Sequence, residues 1–259
     1  MGAKNPFTLF LKHLEAEGRS ANTINCYRLD LAGFADWFLH SNGSDVSLAS
    51  ITPTDMRLYK QHLVVSKKQK PATVNRKLAS LRSLASWALN AGKISVPFTK
   101  GVKDVAQQLL APRWLERQEE NKLVREAERD MAAARSEPAK RQAQRDSAML
   151  ILSLNTGLRI GELCALDRTD IKLSERKGTL TVRRGKGGKN REVPLNAHAR
   201  EALRTWLKVR PDTKTEKIFT GKRSEGLTPS AVQRRLAEYG RRAGVEVSPH
   251  TLRHTFAKR

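Results

Sequence analysis

The sequence predicts a mainly α-helical protein with one small β-sheet, arranged as a helical N-terminal domain followed by a larger α+β domain. Apolar residues recur at helical spacing in four separate runs before residue 95. The pattern lapses between Val96 and Arg113, a stretch that holds Pro97 and Pro112. The apolar spacing changes from about 3.6 residues to 2, the period of a strand, only between Thr179 and Leu195. The expected division is 1–95 for the first domain, 96–113 for a linker and 114–259 for the second domain.

The first helical pattern opens at Pro6, carries Phe7, Phe10, Leu11 and Leu14 on one side, and closes at Gly18 in the C-cap position. Ser20-Ala21-Asn22-Thr23 starts a second, with Ile24, Tyr27, Leu31, Phe34, Ala35 and Phe38 as its apolar face. Thr52-Pro53-Thr54-Asp55 combines a hydroxyl cap, a proline at the first helical position and an acid in the first turn. Pro71 introduces the fourth helix, which bears Val74, Leu78, Leu81, Ala85 and Trp87 and stops near Gly92. Short amphipathic helices with brief connections favour a compact bundle. Beyond the linker, Trp114 to about Ala134 reads as a charged helix, and Arg135 to Arg145 as a polar loop or helix edge. Asp146 to Leu154 is apolar nearly all round, the mark of a buried central helix. Gly157 ends that helix and Leu158 to Leu166 makes the next. Leu180 and Val182, then Val193 and Leu195, alternate on two strands joined by a Gly-rich basic tip. Ala197–Val209 is helical and Lys217–Thr220 is a short extended piece. Two further helices start at the caps Thr228-Pro229-Ser230 and Ser248-Pro249.

Charge narrows the class of partner. The chain of 259 residues holds 49 Lys and Arg against 26 Asp and Glu, a net charge of +23. Such an excess repels itself in the compact state and calls for a polyanion, with nucleic acid the leading choice over an anionic membrane surface. Lys67, Lys68, Lys70, Arg76, Lys77 and Arg82 cluster on the polar edge of the first domain, where as a group they suit phosphate contact. Cys26 and Cys164 are too few for a disulfide scaffold. No stretch is long and apolar enough for a membrane span, and the N-terminus lacks a signal-peptide core, so a cytoplasmic protein is expected. Pro6 argues against reading the Met-Gly start as a myristoylation site.

Candidate chemistry lies in three pieces. They are Thr156-Gly157-Leu158-Arg159-Ile160-Gly161-Glu162-Leu163, the basic hairpin from Arg183 to Arg191, and Ser248-Pro249-His250-Thr251-Leu252-Arg253-His254. Two arginines, a lysine and a histidine on separate elements suit a phosphodiester. Arginine spans two phosphate oxygens and keeps its charge, while a lysine on a hairpin loop can act as general acid. Read singly, Arg159 fits a surface helix and His250 a local hydrogen-bond donor at a helix start. Gly185-Lys186-Gly187-Gly188 fits neither a P-loop nor a dinucleotide fingerprint, so kinase, NTPase and dehydrogenase readings fail. His254, four residues after His250, has no nearby cysteine or acidic ligand set, so no metal is expected.

Thr156 to Leu163 resembles the first arginine motif of the tyrosine recombinase (phage integrase) family, which includes the Xer proteins. His250-Thr251-Leu252-Arg253 resembles its second box, and Gly185-Lys186-Gly187 followed by Arg191-Glu192-Val193-Pro194-Leu195 its lysine-bearing hairpin. The helix start at Ser20 to Tyr27 resembles the SAM-like core-binding domain. The resemblance implies a four-helix core-binding domain and an α+β catalytic domain clamped as a C shape around duplex DNA. It implies that Arg159 and Arg253 hold the scissile phosphate, that Lys186 protonates the departing 5′ oxygen, and that His250 acts as acid–base on the nucleophile side. Lys189 is the alternative to Lys186, and Glu162 is a supporting orienter. Arg183, Arg184, Lys189 and Arg191 are placed with the first-domain cations on DNA. The implied reaction is strand exchange through a 3′-phosphotyrosine and a Holliday junction, with no cofactor because the phosphotyrosine stores the bond energy, carried out by a homo-oligomer, a tetramer in the full form, from a bacterium, phage or mobile element. In the family a tyrosine follows the second box. Here Tyr27, Tyr59 and Tyr239 precede it and the sequence stops at Arg259, so residues 1–259 are expected to bind DNA without cleaving it alone. A DNA-binding factor with a degenerate recombinase domain, regulating recombination, is the alternative. A type IB topoisomerase shares the constellation, but the four-helix N-terminal pattern weighs against it.

Overall fold

The computed structural model describes residues 7–108, 111–183, 190–221 and 225–259. The chain forms two compact units, Met1–Leu109 and Leu110–Arg259.

The N-terminal unit contains α1 (Thr8–Ala16), α2 (Ala21–Asn42), α3 (Pro53–Gln61) and α4 (Pro71–Asn90). Each starts and stops for local reasons. The Ser20 hydroxyl accepts the Thr23 amide at 3.1 Å to open α2. Thr52 and Asp55 form a reciprocal capping box at α3. Gly43 ends α2 in the left-handed conformation, φ 68°. α3 runs on through a π-helical turn, His62–Ser66. Phe10, Leu31, Phe34, Met56, Tyr59 and Leu78 fill the core, with Phe34 and Tyr59 edge to face at 5.0 Å. Pro6 lies outside the described residues, and Phe7 sits just before α1 with its ring in this core.

The stretch expected as a linker is not free chain. Phe98 and Val102 are buried in the N-terminal core, and Asn75 exchanges two hydrogen bonds with Val105, at 2.9 and 2.8 Å. Two prolines break a helix without preventing the segment from packing as irregular chain.

The C-terminal unit is built on α6 (Glu137–Thr156), against which α5 (Arg117–Ala133), α8 (Ala197–Val209) and α10 (Pro249–Lys258) pack. α6 begins well before the expected Asp146. Ser136 accepts the Ala139 amide and Pro138 sits in the first turn, so the polar stretch 135–145 is the first half of the helix. α7 (Ile160–Ala165) is shorter than expected, and Arg159 precedes it as the N-cap instead of riding on it. β1 (Ile171–Leu173), β2 (Gly178–Val182) and β3 (Arg191–Pro194) form an antiparallel sheet in that order, with Leu180 opposite both Ile171 and Val193. β1 is too short to show an alternation of its own. α9 (Pro229–Ala243) completes the unit.

A charged layer joins α5, α6 and α9. Asp146, 1% exposed, is held by Arg145 at 2.7 Å and Arg235 at 2.7 Å. Asp130 receives Arg235 at 2.6 Å and Arg242 at 2.7 Å, and Glu126 receives Arg242 at 2.8 Å. Burial raises the Asp146 carboxyl above its ordinary value against the pull of both arginines.

Candidate functional site

Arg159 owes its position to the end of α6. Gly157 takes φ +59°, a left-handed turn that L side chains resist, and the chain leaves it extended through Arg159 (φ −68°, ψ 149°) before α7 begins. Glu162, three residues on, caps α7 by accepting the Arg159 amide at 2.8 Å. It also accepts Arg159 Nη1 at 3.1 Å, from a side chain 44% exposed.

Arg253 comes from α10, whose start is set by Ser248 accepting the Thr251 amide at 3.1 Å and by Pro249 in the first turn. Its Nη1 donates to the Gly157 carbonyl at 2.7 Å. The α6 turn that launches Arg159 therefore also anchors Arg253. The Phe256 ring, one turn further along α10, covers Gly157 so closely that an added Cβ would lie 3.0 and 3.1 Å from its Cε1 and Cγ. His250 is exposed in the first turn of α10. Arg159, His250 and Arg253 line one open cleft of about 800 Å³, with Thr181, Arg183 and Lys217 on its other wall.

The cleft is lined by Arg159, Arg183, Lys217 and Arg253 against Glu162, Asp167 and Asp170. Burial, then repulsion from Arg159 and, less, from Arg191, lowers the Arg253 pKa, with Glu162 opposing. Burial alone would raise the Glu162 carboxyl. Hydrogen bonds from Arg191, the Arg159 amide and the Arg159 side chain outweigh it and bring the pKa down to about 2. Arg159 and Arg191 both reach Glu162, and the other two acids of the cleft, Asp167 and Asp170, are paired with Lys217 and Arg183. Among the described residues no three His, Cys, Asp or Glu side chains converge as a metal site.

A profile of the phage integrase family matches residues 113–259, and a profile of the phage integrase N-terminal SAM-like domain matches residues 7–92. The chain belongs to the phage integrase family. Tyrosine recombinase XerC of Thermodesulfovibrio yellowstonii is 33% identical over 261 residues, which cover 96% of this chain and 80% of the relative. Among solved structures, XerH recombinase bound to its difH substrate in a pre-cleavage complex matches with TM-score 0.73 at 22% identity, over 99% of this chain and 74% of that one. A lambda integrase dimer bound to a COC′ core site matches with TM-score 0.71 at 19% identity, over 96% and 86%. At those identities the two structures speak for the fold, a mainly helical protein with a small antiparallel sheet. By family the chain is a tyrosine-type recombinase enzyme.

Within this integrase chain the cations expected on DNA divide into two groups. Arg191 gives both prongs of its fork to Glu162, at 3.0 and 2.7 Å, and does not line the cleft. Arg183 pairs with buried Asp170 at 2.5 Å and donates to Thr169 at 2.9 Å. Arg76 pairs with buried Asp30, which Ser80 also reaches at 2.8 Å, and Arg82 pairs with Asp104 at 2.8 Å. These four are arginines with acids to satisfy. Lys67 and Lys68 are exposed, and Lys68 holds a left-handed backbone, φ 47°, after the π-helical turn. Lys77 is half-buried on α4. Arg184, Lys186 and Lys189 lie outside the described residues. The sequence did not point to Lys217. It reaches the cleft because residue 217 bridges Asp167 across the fold, where it pairs with that acid at 2.9 Å and donates to the Ala165 carbonyl at 2.8 Å. A contact fifty residues apart leaves no local signature.

Proposed function

We propose that this chain binds duplex DNA at a recombination site and seats one backbone phosphate between Arg159 and Arg253, the ground state for strand cleavage and exchange through a 3′-phosphotyrosine and a Holliday junction. The observation that carries the reading is the arrangement around Gly157. One turn of backbone aims Arg159 and anchors Arg253, so two permanently charged forks, one just ahead of α7 and one on α10, share one cleft. In this reading the arginines stabilise charge developing on the phosphorane, each worth on the order of 10²–10³ in rate. His250, exposed in the same cleft, works as acid–base on the nucleophile side. Lys186, or Lys189 in its place, donates the proton to the departing 5′ oxygen. Lys67, Lys68 and Lys77 supply backbone contacts from the N-terminal unit. The lambda integrase dimer on its core site supports assembly of several protomers on one DNA.

A narrower reading, DNA binding without cleavage by residues 1–259 alone, is favoured by the tyrosines. Tyr59 packs on Phe34 and Trp37, Tyr239 is fully buried beside Arg235, and Tyr27 meets Phe10. Tyr239, which belongs to the same unit as the cleft, does not line it.

Both readings need the phosphate seat, and it can be tested without chemistry. Binding sites would be selected from random duplex, and each phosphate near the centre replaced singly by a neutral methylphosphonate. One position per half-site should lose about tenfold in affinity, and that loss should vanish in Arg159→Ala and Arg253→Ala. A flat methylphosphonate profile in the unmutated protein would overturn the seat.

A further inference from the structure

We infer that Arg191 is a positioning residue for the phosphate clamp: by engaging the Glu162 carboxylate with both prongs of its fork, it keeps Arg159 available to an anion. The inference rests on the phosphate-seat reading above.

A carboxylate beside a phosphate-binding arginine is a competitor. It attracts the same guanidinium and repels the incoming anion. Glu162 nevertheless has to be there, because it caps α7 and accepts the Arg159 amide at 2.8 Å. A carboxylate offers about four acceptor positions, and at Glu162 four donors fill them. Arg191 contributes Nη1 at 3.0 Å and Nη2 at 2.7 Å, one to each oxygen. The Arg159 amide takes the third position, and Arg159 Nη1 takes the last at 3.1 Å, the longest of the four. Arg191 is held for this task by its backbone. It is the first residue of β3, paired with Val182 of β2. With Arg191 absent, two acceptor positions open beside Arg159, whose remaining N–H groups can turn onto them as a second fork. An anion would then have to displace a carboxylate instead of meeting open donors.

Arginine Nε–Hε resonances of Arg159 and Arg253 would be followed by NMR while inorganic phosphate is added at constant ionic strength. The unmutated protein should show saturable shifts at both. Arg191→Gln should weaken phosphate binding about tenfold, the weight of one charge-assisted contact, and Arg191→Lys should fall between the two. The deciding variant is Arg191→Gln with Glu162→Gln. Glutamine still caps the helix and accepts the Arg159 amide, but it carries no charge to be neutralised. This double variant should return to within about threefold of the unmutated affinity, a difference worth well under one charged contact. A double variant as weak as Arg191→Gln alone would overturn the inference, and so would a Glu162→Gln single variant that gains as much affinity with Arg191 present as the double variant gains over Arg191→Gln, since loss of a repelling charge would then explain the rescue without Arg191. Unchanged affinity in Arg191→Gln would overturn it as well. Absence of any phosphate shift in the unmutated protein would overturn the seat itself, and this inference with it. Far-UV circular dichroism confirms that each variant is folded.

Discussion

Gly157→Ala should damage the fold and the cleft together, and its cost can be separated into two parts. The residue sits at φ +59°, where a Cβ meets its own carbonyl, a penalty of ~1–2 kcal/mol. The new methyl also runs into the edge of the Phe256 ring at Cδ1. The ring must turn on χ1 or χ2 or α10 must move, which adds ~1–3 kcal/mol by analogy with overpacked cores. The whole is then ~2–5 kcal/mol. Phe256 is 38% exposed, so Phe256→Ala should cost only ~1 kcal/mol and removes the collision. In that background Gly157→Ala should retain just the backbone part, a coupling of ~1–3 kcal/mol between the two sites. Urea unfolding would be followed by the ¹⁹F signal of fluorotryptophan at Trp206, which is buried in the C-terminal unit. Equal cost in both backgrounds would refute the steric account, and a cost below ~0.5 kcal/mol would refute the backbone account too.

The Glu162 carboxyl binds protons more weakly folded than unfolded, with a pKa of about 2 against 4.5. Its contribution to stability is therefore complete above pH 4.5 and disappears as pH falls through about 2. The stability gap between the unmutated protein and Glu162→Gln should narrow over that window, and a gap independent of pH would show that the ion pairs do not operate. Duplex binding should weaken steeply with salt, with a log–log slope of about −5 or steeper if six or more phosphates are neutralised. A flat response measured by fluorescence anisotropy would contradict a phosphate-based interface. Arg235→Ala leaves buried Asp146 with Arg145 alone and should cost ~3–5 kcal/mol, whereas Arg129→Ala, at a side chain 71% exposed, should cost under ~1 kcal/mol. Equal costs in thermal melts would show that burial does not set the value of these pairs.

Features written into a few adjacent residues were legible in the sequence. The caps at Ser20, Thr52, Thr228 and Ser248, and the stop at Gly157, depend on one side chain or one backbone angle, and each appears as read. What eluded the sequence depends on partners far along the chain. The first half of α6 is polar, and its inward side chains are satisfied at a distance, Arg145 at the Thr220 carbonyl and at Asp146, which Arg235 of α9 also reaches, so helical periodicity in apolar residues alone starts the helix too late. β1 is three residues long and exists as a strand because β2 pairs with it. Phe98 and Val102 carry no helical period and pack irregularly. Arg159, Arg253 and His250 were picked out as residues, but their meeting at one cleft follows from the Gly157 carbonyl reaching Arg253 96 positions later.

Net charge locates a partner but not a site, and the arginines show why. A chain at +23 has cations to spare, yet buried acids in the C-terminal unit still draw arginines inward: Asp146 takes Arg145 and Arg235, Glu126 takes Arg242, and Asp170 takes Arg183. Each such pair consumes a charge that composition would have assigned to DNA. Arg253, like Arg200 and Arg210, instead gives its inward hydrogen bond to a neutral carbonyl, which orients the fork without cancelling it. Arg159 comes closest to being cancelled, by Glu162, and Arg191 supplies the second positive group there. The proposed phosphate seat thus lies where the acids are already matched, and a neutral acceptor such as the Gly157 carbonyl allows an arginine to be both fixed and charged.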